Sequence, residues 1–243
     1  YMTVTGNNIP VYEFVQTTPN DLNEDQQTHR IPLTPVFQDT PSQYTVLAAV
    51  GVSVGGTALQ TPSEAGDLLW GDPVFDNALD MCNGHTGFGG AYHSHALVGT
   101  CFFSADDGSV VSPILGWAYD GYPFYGSMGC LDADCSEVVE MQSSYTQLNN
   151  PTDCVDQSHE YTGDANEHED GDEFLDECNG HIGPNGDYHY HATNAYPYII
   201  GCYRGEPGPD AALYPGMLDA AMEDDCVDGE CVGDGCGMMP GMP

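Results

Sequence analysis

Lysine is absent from this 243-residue chain, and only Arg30 and Arg204 carry permanent positive charge. Against them stand 38 acidic residues, for a formal net charge of −36 at pH 7. Such a surface excludes nucleic acid and anionic membrane as partners, because both require cationic neutralisation. It suits divalent cations or a saline medium. No apolar run approaches the ~20 residues of a membrane span, so no transmembrane helix is expected. Helical periodicity is scarce as well: residues 211–222 are the best candidate, and Pro215-Gly216 interrupts it. The chain has no Gly-x-Ser-x-Gly elbow, phosphate loop or zinc-protease helix. With so few cations, oxyanion or phosphate chemistry would need a metal. The sequence therefore leans away from an enzyme.

Thirty glycines and 17 prolines divide short apolar runs. That pattern predicts an all-β or β-rich fold with irregular loops. Strands are expected at Thr3–Thr5, Val11–Val15, Tyr44–Val54, Ile114–Tyr119 and Tyr196–Tyr203. The ten cysteines point to disulfides and an oxidising compartment. A start at Tyr1 fits a mature form whose leader was removed, so a secreted protein is expected.

Two stretches repeat each other. Cys82-Asn83-Gly84-His85 precedes Tyr92-His93-Ser94-His95, and Cys178-Asn179-Gly180-His181 precedes Tyr188-His189-Tyr190-His191. In both copies the first histidine lies three residues after the cysteine and eight before the His-x-His pair, and the copies are 96 positions apart. Six of the nine histidines sit in these sets, which marks an internal duplication within a single disulfide-stapled domain. Alternation along a strand puts His93 and His95 on one face, and likewise His189 and His191. His85 and His181, each from a preceding loop, complete two candidate metal sets. Three imidazoles suit Cu(II) or Zn(II), with copper favoured in the divalent series and zinc the alternative. Neutral imidazole is the binding form, so metal should be lost below roughly pH 6. The competing reading is a hydrogen-bonded core in which Asp76, Asp120 or Asp176 satisfies the histidines.

Cys82 and Cys178 each have a cysteine downstream in their own copy, Cys101 and Cys202, which argues for two staples. Cys130 and Cys135 are close enough to bridge, though either can instead pair with Cys154. The acidic stretch Asp164, Asn166, Asp170, Asp172 and Glu177 is a candidate calcium loop of loose form. Met217, Met222, Met238, Met239 and Met242 offer soft thioethers for Cu(I), although methionines more often fill surface contacts.

The combined pattern resembles the YHYH family of secreted proteins. The name motif is Tyr188-His189-Tyr190-His191. Gly51-Val52-Ser53-Val54-Gly55-Gly56, the stretch Pro113 to Gly126, and Tyr198 to Gly205 extend the likeness over about residues 28–205. Ser94 departs from it, standing where the motif has its second tyrosine. The resemblance implies an extracellular, β-rich, metal-binding protein and brings no general catalytic activity. On this reading residues 1–27 form an N-terminal arm or edge strands, 28–205 the YHYH-like domain, and 206–243 an acidic Cys/Met/Gly-rich tail. The expected role is metal capture or storage. The alternatives are an extracellular filament or other polymer, self-assembled through a terminal arm with bound calcium, and a metal-dependent enzyme. The two histidine copies are expected to approach each other across one core.

Overall fold

Eight short strands make one sheet: β1 (Ala49–Ser53), β2 (Ala58–Gln60), β3 (Gly84–Thr86), β4 (Tyr92–Ser94), β5 (Ile114–Ala118), β6 (Pro123–Tyr125), β7 (Gly180–Ile182) and β8 (Tyr188–His191). Their order across it is β7-β8-β6-β5-β1-β2-β4-β3. The structure, a computed structural model, describes residues 1–65, 70–148, 158–163 and 173–212, with the short paired segments 226–227 and 230–231. Helix among the described residues is limited to the turn Gly99–Phe102 and a 3-10 turn at Phe88–Gly90.

The two halves of the sheet share one topology. In each, an antiparallel hairpin (β1–β2, β5–β6) is followed by a second (β3–β4, β7–β8) whose return strand joins the first in parallel. The halves meet where β1 and β5 run antiparallel, with Trp117 opposite Val52. A register shift falls between Ala49 and Gly51 in one half and between Ile114 and Gly116 in the other. Four strands lie between β4 and β8, so the two histidine strands are roughly 24 Å apart along the sheet at ~4.8 Å per step. The copies therefore do not approach each other. They hold opposite edges of one sheet, because the hairpins at its centre pair with each other and leave the histidine hairpins outermost.

Val50, Val52, Leu59, Leu115, Phe124, Tyr190, Ile199, Ile200 and Tyr203 form the fully buried part of the core. Smaller ladders flank the sheet: Met2–Gly6 pairs with Gln27–Ile31, Phe37–Ser42 with Tyr203–Gly205, and Met128–Cys130 with Val138–Glu140. Among the described residues three disulfides are seen, Cys82–Cys101, Cys130–Cys135 and Cys178–Cys202. The first and third close loops of 19 and 24 residues, each restricting the unfolded chain by about 3 kcal/mol.

Some strand expectations fail. Val11–Val15 is not a strand: Tyr12 and Phe14 instead set their rings edge-on against Tyr92 at 6.0 and 5.9 Å. Tyr44–Val54 shortens to β1, since Leu47 takes a positive φ of 60° that breaks extension. The run Tyr196–Ile200 is a turn, with a cis Tyr196–Pro197 peptide and Tyr198 at φ 61°, and only Tyr203–Gly205 is strand. The helix candidate from 213 onward lies outside the described residues.

The N-terminal arm lies on its own domain. Thr18 Oγ1 donates to the Thr86 carbonyl, and the Asn23 amide to that of Gly90. These contacts cover the outer edge of the β3–β4 hairpin.

Candidate metal centres

Each letter of the repeated Cys-Asn-Gly-His stretch has a physical task. The cysteine is bridged to the segment that follows its hairpin. The asparagine turns the chain through positive φ, 57° at Asn83 and 68° at Asn179, a conformation asparagine tolerates better than most residues. The glycine lies beneath a tyrosine: a Cβ on Gly84 would stand 2.1 Å from Tyr92 Oη, and one on Gly180 2.3 Å from Tyr188 Oη. An aspartate two residues before each cysteine ties the turn together. Asp80 Oδ1 accepts from the Cys82 and Gly84 amides at 2.9 and 3.1 Å, and Asp176 Oδ1 from Cys178 and Gly180 at 2.9 and 3.0 Å.

The histidines then fall into place by register. His85 sits directly opposite His93, and His181 opposite His189. The first histidine of each set thus comes from a strand, β3 or β7, and not from a loop. Alternation along β8 sends Tyr188 and Tyr190 into the aromatic core and His189 and His191 to the other face. Tyrosines, not histidines, take the nearby aspartates: Tyr92 donates to Asp80, Tyr188 to Asp176 and Tyr190 to Asp120. Burial pushes the phenols of Tyr188 and Tyr190 well above their ordinary range and the Asp120 carboxyl up to about 6, against its hydrogen bonds. Asp120 and Asp176, two of the aspartates named for the hydrogen-bonded-core alternative, are thus held by tyrosines and not by the histidines.

The imidazoles of each set lie against one another. In the β3–β4 hairpin, His85 Nε2 is 3.2 Å from His95 Nε2, and the carboxylate of Glu64 joins them. Glu64 Oε2 lies 2.9, 3.2 and 3.5 Å from Nε2 of His85, His95 and His93. Burial works to raise the Glu64 carboxyl, but its histidine partners outweigh that and hold it well below the usual carboxylate range. In the β7–β8 hairpin, His181 Nε2 is 3.1 Å from His189 Nε2, with the His191 ring centroid 4.9 Å from that of His189. In both sets one ligand atom from each residue lies within 4.8 Å of all the others. A tetrahedral ion with bonds of 2.0–2.1 Å has edges of roughly 3.3 Å, so the spacing fits a single metal.

Tautomers support this. His95 Nδ1 donates to the Thr61 carbonyl and His191 Nδ1 to that of Gly126, both at 2.7 Å. A carbonyl only accepts, so Nδ1 carries the proton and Nε2 presents its lone pair to the cluster. Nε2 of His93 and of His191 are buried without a hydrogen bond. Burial lowers His93 to about 4 and drives His189 and His191 below the ordinary imidazole value, keeping them neutral and ready to coordinate.

Two contributors escaped the sequence reading. Glu64 precedes His85 by 21 residues and belongs to no motif. The other is Gly129, which takes the place of Glu64 in the second half. Each follows by three residues a carbonyl, Thr61 or Gly126, that fixes the last histidine of its set. Of the candidate calcium set, residues 164, 166, 170 and 172 lie outside the described residues. Glu177 accepts from Arg204, Oε1 to Nη2 at 3.1 Å. Met217, Met222, Met238, Met239 and Met242 also lie outside them.

The comparison with curated proteins found no match, and neither did that with solved structures. A family model does match, over residues 28–205, and its description is YHYH protein. That span contains both histidine hairpins and the whole eight-stranded sheet. The chain belongs to the YHYH protein family.

Proposed function

We propose that this is an extracellular metal-binding protein with two metal centres, one on each histidine hairpin, acting in metal capture or storage with copper favoured over zinc. The observation that carries it is the convergence of three imidazoles at each edge of the sheet, one ligand nitrogen of each within 4.8 Å of the others, with Nδ1–H of the last histidine donated to a backbone carbonyl. Three imidazoles have no reason to crowd in a buried pocket unless a cation takes up their lone pairs. Copper heads the affinity order for nitrogen donors. The disulfides fit an oxidising compartment, and among the described residues no helix is long and apolar enough to cross a membrane. The acidic surface would concentrate cations around both sites.

Metal analysis of the purified protein, before and after loading with Cu(II) or Zn(II), tests this. Two equivalents per chain are expected, falling to one in His189→Ala/His191→Ala. Unchanged metal content in that variant rejects the assignment. Assembly into a filament, the alternative role, would fall to the C-terminal tail, since the N-terminal arm is docked on its own hairpin; most of that tail lies outside the described residues.

A further inference from the structure

Five side-chain polar atoms are buried without a hydrogen bond among the described residues. Two belong to the histidine clusters, Nε2 of His93 and Nε2 of His191. The other three, Nδ2 and Oδ1 of Asn8 and Nε2 of His29, all lie in the first 31 residues. That segment is an antiparallel ladder, Met2–Gly6 with Gln27–Ile31, closing a loop that reaches the β3–β4 hairpin. There Thr18 Oγ1 donates to the Thr86 carbonyl, Thr86 Oγ1 to that of Asn20, and the Asn23 amide to that of Gly90. Tyr12 Oη donates to Tyr92 Oη at 3.3 Å. An unpaired buried polar group costs about 1 to 3 kcal/mol, so the segment is held down against a penalty.

His29 stands at the base of that loop, 3% exposed and opposite Val4 in the ladder. Its Nδ1 lies 2.7 Å from Tyr119 Oη, and the two rings stack at 5.9 Å. The phenol serves Nδ1, so Nε2 has no partner in either tautomer. Among the described residues the titratable groups facing the ring are Tyr119 and Asp210, and Arg30 is the charge beside it on its own strand. Asp210 is already engaged by Arg30, accepting from its backbone amide at 2.5 Å and from Nε at 2.9 Å. Burial lowers His29 from the ordinary 6.5 and outweighs the pull of Asp210. An imidazolium here would bury a charged N–H with no acceptor.

We propose that residues 1–31 are an acid-released strap over the outer edge of the β3–β4 hairpin, with His29 as its latch. The docked strap needs the neutral ring, whereas an undocked, hydrated ring titrates at its ordinary value. Closure is therefore complete above about pH 6.5 and weakens as pH falls below it. One proton taken up on opening makes that loss at most about tenfold per pH unit. Opening bares the Thr86 and Gly90 carbonyls and removes Tyr12 from Tyr92, loosening the hairpin that carries His85, His93 and His95. Acid then becomes a release signal for the first metal centre. That consequence rests on the metal-binding reading above; the strap itself does not.

Amide hydrogen exchange on the full-length, metal-free protein reads the strap directly. From about pH 7.5 to about pH 5, after correction for the intrinsic rate, the Met2–Gly6 and Gln27–Ile31 amides should open at least about fivefold more often, with β1 and β5 unchanged. In His29→Gln, whose neutral side chain still reaches Tyr119, that rise should vanish. An equal rise in the variant, or none in the parent, overturns the proposal. If His29→Gln is already open at neutral pH, the parent decides by proton NMR. The His29 ring resonance, assigned by its loss in the variant, should titrate below 6.5, and a value of 6.5 or above overturns the latch. The consequence is read in His189→Ala/His191→Ala, which keeps only the first centre, loaded with Zn(II) and mixed with a chelator. Zinc transfer should be at least about threefold faster with His29 than with His29→Gln near pH 5, and equal near pH 7.5. Failure to bind zinc rejects the metal reading and leaves the strap to the exchange result. Bound zinc that leaves both proteins at one rate near pH 5 overturns the strap's control of the centre.

Discussion

The hairpins β3–β4 and β7–β8 are nearly the same object built twice, and their differences separate what folds the site from what tunes it. Common to both are the aspartate that caps the turn, the asparagine at positive φ, the glycine under a tyrosine, the disulfide, and the Nδ1–H to carbonyl bond. These are the scaffold. The differences surround it. Ser94 stands where Tyr190 is, and Tyr12 of the N-terminal arm reaches in, its hydroxyl 3.4 Å from Ser94 Oγ. Asp176 is clamped by Arg204, 2.9 Å from Nη2, whereas the matching Asp80 has no arginine among the partners shown for it. Glu64 faces the first set of histidines and Gly129 the second. The scaffold therefore fixes three imidazoles in each hairpin, and the neighbours around them differ.

The largest effect expected from breaking this comparison is loss of one whole site without harm to the other. His93→Ala/His95→Ala and His189→Ala/His191→Ala should each remove one metal equivalent and leave the affinity of the remaining site unchanged, because roughly 24 Å of sheet lies between them. Isothermal titration of both variants checks it; coupled losses would mean a shared site. Next in size, Glu64→Gln should weaken Zn(II) binding at the first centre by at least about tenfold and leave the second untouched. The same titration reads that outcome.

Stability should separate the hairpins too. Asp176→Ala removes the amide contacts that Asp80→Ala also removes, and in addition takes from the half-buried Arg204 the closer of the two carboxylates it pairs with, leaving Glu177, the Asp39 carbonyl and the Phe37 ring. It should cost about 1 to 2 kcal/mol more in denaturant unfolding than Asp80→Ala. Equal losses would deny the arginine a structural role.

The smallest effect is on acid tolerance of the metal-free protein. His93 is lowered by burial from 6.5 to about 4, so it stays neutral in the fold while the unfolded chain takes up a proton between those values. Its contribution is therefore fully present above 6.5 and declines as pH falls toward 4. Asp120, pushed up to about 6, acts with the opposite sign over part of that range. Comparison with His93→Gln isolates the histidine: the variant should differ most from the parent in melting temperature above pH 6.5, the gap narrowing toward pH 4. A gap that widens on acidification would refute the assignment. On the proposed metal reading, burial should also move metal release below the value near pH 6 that exposed imidazoles would give.

Much of this was legible in the chain. The strict spacing of six histidines gave both sets, and period-two alternation put His189 and His191 on one face. The disulfide partners followed from their matching places in the two copies. The relation between the copies did not, because strand order is a long-range property: the sequence brings the repeats to mind as neighbours, whereas pairing of β1 with β5 sends them to opposite edges. Glu64 was hidden for a related reason: it reaches its site from a segment outside the repeated motif, and in the other half Gly129 stands at the matching place.

The most direct measurement is a crystal structure of the metal-loaded protein with anomalous data at the copper and zinc edges. The account predicts two peaks, one bounded by Nε2 of His85, His93 and His95 with Glu64, the other by Nε2 of His181, His189 and His191. Metal peaks absent from both hairpins, or found only among the acidic segments, would contradict it.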